Sequence, residues 1–270
     1  MTCKRPIVRY FGGKWKLAPW IISNMPNHRV YVESFGGGGS VLLRKPKEGM
    51  EVYNDLDGEI VNVFKVARDR GSELVRALEL TPYSRREYEL SYQDSDDQLE
   101  RARRTVLRSF YGFGGTAVFG RATGFRGASR LAANVPAHQW RNYPSALMDT
   151  IERLRGVVIE NRDAFDVMRN HDSATTLHYV DPPYVHSTRG GKARYKGAQK
   201  VYRHEMTDRQ HIELAGVLRS LKGVVLLSGY RCDLYDKLYA GWRRVDRIAL
   251  AECAAKRVES LWINRKGGRR

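Results

Sequence analysis

The residues best suited to chemistry are Asp181-Pro182-Pro183-Tyr184, which follow the β-branched and apolar run Thr175-Thr176-Leu177-His178-Tyr179-Val180. That run reads as a buried strand, so the tetrapeptide sits where a strand ends and the backbone turns. Each prolyl ring fixes φ near −65° and removes an N–H, which stiffens the segment and leaves its carbonyls without local donors. Asp181 adds a carboxylate acceptor and Tyr184 a flat aromatic face. The product is a rigid cup with two acceptors beside a stacking surface. Such a cup suits a planar amine, for example the exocyclic amino group of a nucleobase. That nitrogen is a poor nucleophile because its lone pair is delocalised. Acceptors holding both hydrogens draw it toward sp³ character and stabilise the positive charge that develops during alkyl transfer. An ordinary proline-rich turn with Asp181 as a cap is the plainer reading of the same residues.

Four other stretches could hold a ligand beside that cup. In Arg9-Tyr10-Phe11-Gly12-Gly13-Lys14, an aromatic ring and a cation flank a Gly-Gly turn. The pair fits a flat base and a carboxylate, and it also fits a simple helix-entry loop. The strand Val30 to Phe35 runs into Gly36-Gly37-Gly38-Gly39-Ser40, and Val41-Leu42-Leu43 begins a short helix. Strand, glycine turn and helix open a doubly wound nucleotide-binding fold. The spacing is not G-x-G-x-x-G, and Glu33 precedes the turn, so a pyrophosphate is disfavoured and a cationic, phosphate-free ligand fits better. A nicotinamide dehydrogenase is correspondingly disfavoured. Strand 51–55 ends in Asp55, placed to accept from ribose hydroxyls or to cap the next helix along with Asp57. Asp163 follows strand 157–161 and suits an adenine amino group or a helix cap.

The elements that must position these groups alternate strand and helix. Strands at 30–35, 51–55, 157–161, 175–180 and 224–228 predict a mostly parallel α/β sheet, and runs at 245–250 and 258–264 predict a C-terminal antiparallel hairpin at its edge. Between residues 71 and 150 the pattern turns helical with polar faces. Capping-box spacing recurs at Ser84 to Glu87, Asp97 to Glu100 and Thr207 to Gln210. We expect a catalytic domain from residues 1–70 and 151–270 and an inserted, largely helical lobe over 71–150.

Charge is unevenly distributed. The 270 residues carry 47 Lys+Arg against 30 Asp+Glu, a net charge of +17, so a polyanion is the leading partner. Residues 101–148 contain eight arginines (Arg101, Arg103, Arg104, Arg108, Arg121, Arg126, Arg130 and Arg141) and no Asp, Glu or Lys. Phe110, Tyr111, Phe113, Phe119, Phe125 and Trp140 are interleaved with them. This composition fits a lobe that grips phosphates and reads bases, or a solvated basic face over a small aromatic core. Arg101, Arg104, Arg108, Arg121, Arg126 and Arg130 are the candidate nucleic-acid contacts, joined by Arg189, Lys192 and Arg194 in the basic loop after Tyr184. Cys3, Cys232 and Cys253 are unpaired in number and spacing, and the seven histidines have no ligand pattern, so no metal is expected. No apolar run approaches a membrane span and no signal-peptide core is present, which predicts a cytoplasmic protein.

In order along the chain, Tyr10-Phe11-Gly12-Gly13-Lys14, Val32-Glu33-Ser34-Phe35-Gly36-Gly37-Gly38-Gly39-Ser40, Asn54-Asp55 and Asp181-Pro182-Pro183-Tyr184 resemble the Dam-type N6-adenine DNA methyltransferases. Val225-Leu226-Leu227-Ser228-Gly229-Tyr230 and Glu259-Ser260-Leu261-Trp262-Ile263-Asn264 carry the likeness further. Ser34 stands where that family usually has proline. The resemblance implies a Rossmann-like methyltransferase sheet, S-adenosyl-L-methionine as cofactor and double-stranded DNA as partner. Tyr10, Gly12, Lys14, Glu33, Phe35, Gly36, Gly38, Asp55, Asp163 and Asp181 would line the cofactor site. Asp181 and Pro182 would bind the target amino group, with Pro183 and Tyr184 completing the motif and Tyr184 stacking on the flipped adenine. The 71–150 lobe would recognise the target. Asp rather than Ser opening the tetrapeptide favours adenine over cytosine. A prokaryotic or phage origin, a monomer or weak dimer, and a restriction-modification or DNA-protection setting are the matching expectations. RNA adenine or cytosine N4 as target, and an inactive DNA-binding protein on the same fold, are the rival readings.

Overall fold

The computed structural model describes residues 3–127, 135–189, 201–250 and 256–264. In chain order the elements are α1 (Ala18–Ser23), β1 (Val30–Glu33), β2 (Met50–Asn54), α2 (Gly58–Asp69), α3 (Gly71–Glu79), α4 (Arg85–Leu90), α5 (Gln98–Tyr111), α6 (Pro136–Arg141), α7 (Tyr143–Leu154), β3 (Val157–Glu160), α8 (Ala164–Asn170), β4 (Thr176–Val180), α9 (Asp208–Ser220), β5 (Val224–Gly229), α10 (Asp233–Leu238), β6 (Arg243–Leu250) and β7 (Lys256–Ile263). The strands form one sheet of order β3-β2-β1-β4-β5-β7-β6. β1 pairs in parallel with β2 and β4, and β4 with β5. β7 is antiparallel to both β5 and β6. The expected mostly parallel sheet with an antiparallel C-terminal edge is therefore the observed one.

By internal packing the chain divides into two compact units. One comprises Met1–Ala18, Gly37–Lys47 and Asp57–Asn161, and the other Pro19–Gly36, Glu48–Leu56 and Arg162–Arg270. In the strand-rich unit β4 is buried at every position, as a central parallel strand must be. Val180, Leu214, Leu218, Val225, Leu227, Tyr235 and Trp262 close its core, with Phe35 packed against them. Asn264 ties β7 to β5: its Oδ1 accepts from Val225 N at 3.1 Å and its Nδ2 donates to Gly223 O at 3.2 Å.

The helix-rich unit buries Phe64, Leu74, Leu78, Val106, Leu107, Leu147 and Leu154. Its aromatics make a core rather than a surface. Phe110, Tyr111, Phe119 and Trp140 are buried, and Phe113 alone of the six is strongly exposed, at 57%. Ring centroids of Phe110 and Tyr143 lie 4.3 Å apart, and those of Tyr111 and Trp140 4.8 Å. Local signals held unevenly. Thr207 and Gln210 form the full reciprocal capping box. Asp97 instead caps α5 through Leu99 N, and the Glu100 side chain turns to arginines. Val41 to Leu43 adopts hydrogen-bonded turns instead of the short helix its apolar run suggests.

Candidate active site

The site grows from the strand ends of the strand-rich unit. Glu33, the last residue of β1, is in register with Tyr53 of β2 and Tyr179 of β4. Asp55 and Asp181 each stand two residues beyond those partners, so three acids lie at the C-terminal ends of adjacent strands. The chain winds from β1 to β2 on one side and to β4 and β5 on the other. The β1/β4 boundary is therefore a topological switch point, where open α/β sheets bind ligands.

Asn54 fastens this edge. It is fully buried, and its Nδ2 donates to Ser34 O at 2.9 Å and to Arg162 O at 3.1 Å. Its Oδ1 accepts from Arg162 N at 3.0 Å, and its own carbonyl accepts from Gly36 N at 2.7 Å. One side chain thus joins the segments that carry Glu33, Asp55 and Asp163. Gly36 is required by contact, since a Cβ there would lie 2.2 Å from the Tyr53 ring. Asp163 is exposed and caps α8, accepting from Phe165 N at 2.8 Å and Asp166 N at 3.4 Å. Asp57, not Asp55, caps α2, through Glu59 N at 3.0 Å.

Phenols surround the carboxylates. Tyr31 Oη donates to Glu33 Oε2 at 2.7 Å, and Glu33 is 2% exposed. Tyr184 Oη donates to Glu259 Oε2 at 2.9 Å and lies 3.3 Å from Ser228 Oγ. Burial first, and then the charge of Glu33, holds the Tyr31 phenol well above its ordinary range. Burial followed by Asp181 raises both Tyr179 and Tyr184, with Glu33 adding to the first and Glu259 to the second. These phenols stay protonated, and those of Tyr31 and Tyr184 donate to carboxylates. Asp181 is half-buried at the exit of β4, Pro182 is buried, and Pro183 and Tyr184 are partly exposed. Sequence reasoning assigned no role to Ser228, Tyr230 or Glu259, although all three surround Tyr184.

Tyr10, Gly12, Lys14 and Gly38 belong to the helix-rich unit. Gly13 N donates to Tyr10 O at 3.1 Å, and Lys14 Nζ, buried, donates to Gly12 O at 2.7 Å. The Tyr10 side chain covers the glycine run: a Cβ on Gly37, whose φ is +48°, would meet its ring at 2.6 Å, and one on Gly38 would meet its Cβ at 3.0 Å. These glycines are needed where the backbone passes an aromatic face.

The arginines of the basic segment divide. Arg101 pairs with Glu59. Arg103 bridges Glu100 at 2.6 Å and Glu87 at 2.8 Å, and Arg104 meets Glu100 at 2.6 Å and Gln93 O at 2.8 Å. Arg108 is buried, donates to Ser91 O and to Thr105 Oγ1 at 2.9 Å, and its guanidinium lies over Tyr92. Arg126 donates to Phe110 O at 3.1 Å, and burial lowers its pKa. Arg121 and Arg141 are exposed. Arg130, Lys192, Arg194 and the side chain of Arg189 lie outside the described residues. Among the described residues no cluster of His, Cys, Asp or Glu could hold a metal, and no helix is long and apolar enough to cross a membrane.

A sheet of order 3-2-1-4-5-7-6 with acids at its switch point defines a Rossmann-like methyltransferase fold. The model of the D12 class N6 adenine-specific DNA methyltransferase family matches residues 10–252, and the chain belongs to that family. It is 26% identical over 257 residues to the type II methyltransferase M1.LlaDCHI of Lactococcus lactis subsp. cremoris, covering 87% of this chain and 84% of that one. It is 26% identical over 195 residues to a DNA adenine methylase of Escherichia coli K12, covering 68% and 66%. To a DNA adenine methylase of Salmonella typhi it is 24% identical over 250 residues, covering 88% and 85%.

Proposed function

We propose that this chain transfers a methyl group from S-adenosyl-L-methionine to N6 of an adenine flipped out of double-stranded DNA at a specific site. The observation that carries the reading is Asp181-Pro182-Pro183-Tyr184 leaving β4 beside Glu33 of β1 at the switch point. The donor set fits the cofactor. Carboxylates at the ends of β1 and β2 suit its ammonium and ribose, and Asp163 suits its adenine amino group. Phe35 and Gly36, in the same strand-rich unit, complete this assignment. Bound there, the cofactor would supply an electrophilic sulfonium methyl for the amine nitrogen.

The protein's share is orientation and electrostatics. Asp181 and the Pro182 carbonyl accept the two amino hydrogens, and Tyr184 stacks on the base. Flipping costs a few kcal/mol, which binding must supply. Residues 71–150 act as the target-recognition lobe, with exposed Arg121 as its clearest described DNA contact. Arg101, Arg104 and Arg108 have structural partners that bind them inside the unit. The type II methyltransferase relative favours a restriction-modification setting.

Two assays test this. S-adenosyl-L-methionine at about 100 times its Kd should stabilise the protein by ~2.7 kcal/mol, visible as a raised Tm. Nucleoside analysis of treated DNA should show N6-methyladenine. N4-methylcytosine, or methylation of RNA alone, would replace the substrate assignment.

A further inference from the structure

We infer that Glu259 is a positioning residue for the target base: through the Tyr184 hydroxyl it fixes the angle of the ring on which that base stacks. The inference rests on Tyr184 being the stacking face, as proposed above.

The hairpin brings Glu259 to the site. On β7, Leu261 is opposite Ser228 of β5 and Ser260 is opposite Gly229. Strand period two then puts Glu259 on the same face as Ser228. Both reach one atom, Tyr184 Oη, at 2.9 and 3.3 Å. A phenol has one proton, and the carboxylate takes it in a charge-assisted bond. The serine hydroxyl therefore donates to the phenol oxygen. Two strands thus hold the far end of a side chain whose near end belongs to a loop.

That tether addresses a specific weakness. Two prolines fix the backbone before Tyr184, but they do not fix its χ1 and χ2. Tyr230 stands edge-on to the Tyr184 ring at 4.7 Å, and Arg257 covers Tyr230 at 5.3 Å, which limits sliding on one side. The hydroxyl bonds limit rotation. Glu259 is 7% exposed, and a carboxylate is costly to bury without hydrogen bonds; the Tyr184 phenol supplies one. Stacking geometry sets the amine's line of attack, and a misplacement of about 1 Å can cost roughly 100-fold in rate.

The test uses the full chain and a duplex carrying the site the wild-type protein methylates, with 2-aminopurine in place of the target adenine for fluorescence. Glu259→Ala should lower kcat about tenfold or more, leave KM for S-adenosyl-L-methionine within about twofold, and brighten the bound 2-aminopurine because the base leaves the stack but is not covered. Glu259→Gln keeps an acceptor oxygen and should stay within about threefold of wild type. Tyr184→Phe should show the same loss, and adding Glu259→Ala to it should change kcat by less than about twofold. Wild-type kcat and fluorescence in Glu259→Ala would overturn the inference, as would multiplicative losses in the double variant. If Glu259→Ala does not fold, Tyr184→Phe decides: wild-type kcat and quenching there would overturn it equally. An inactive wild-type protein would instead refute the proposed function on which the inference stands.

Discussion

The strand-end region and the arginine-rich region use charge in opposite ways. At the strand ends, phenols and backbone amides aim the carboxylates: Tyr31 onto Glu33, Tyr184 onto Glu259, and two amides onto Asp163. In the helix-rich unit, glutamates meet the arginines, so Arg101, Arg103 and Arg104 serve the packing of α2, α4 and α5. A run of like charge in sequence therefore overstates what is available to a ligand, because pairing partners can come from outside the run. Glu59, Glu87 and Glu100 all precede the stretch that holds no acids.

The contrast breaks first at Asn54. Asn54→Ala removes three side-chain hydrogen bonds at a fully buried position and strands the Ser34 and Arg162 carbonyls. Loss of roughly 2–5 kcal/mol is expected in denaturant unfolding, together with weaker cofactor binding. Unchanged stability would mean that the acid-bearing segments hold their places without the clamp.

Next come two arginines with opposite fates. Arg108→Ala should destabilise the protein by about 1–3 kcal/mol, because it leaves Ser91 O without its buried donor. Arg121→Ala, at an exposed position, should leave Tm nearly unchanged and lower the salt slope of DNA binding by about one. Equal effects of the two on the salt slope would erase the distinction between structural and ligand-facing arginines.

The smallest effect concerns pH. His178, buried in β4, lies 3.2 Å from Asp172 Oδ1, and Asp172 also accepts from Lys222 N and Gly223 N. Burial lowers the His178 pKa, outweighing the raising effect of Asp172. The folded state thus binds the proton less readily than the unfolded chain. Stability is full above the unfolded histidine pKa, about 6.5, and falls as pH drops through the lowered folded value. Asp172, also lowered, adds a second loss below its ordinary 3.8. Tm measured from pH 8 to 5 should fall less steeply in His178→Gln than in wild type.

Much of the sheet and the core of the site was legible in sequence, because both are locally encoded. Apolar runs marked the parallel strands, and glycines and prolines marked their exits. What escaped was non-local. Asn54 meets Arg162 across 108 residues and Tyr184 meets Glu259 across 75, and no periodicity announces either pair. The aromatics around Trp140 read in sequence first as part of a base-reading lobe and only second as a small core, and packing made most of them core. Asp55 and Asp57 were indistinguishable as caps until the start of α2 was known.

The central claim is that the β4 exit polarises an adenine amino group. Its most direct test is Asp181→Ala assayed with a labelled methyl donor and duplex DNA, alongside DNA binding measured by titration. DNA binding should persist while methyl transfer falls by about 100-fold or more. Full methyl transfer by the variant would contradict the account.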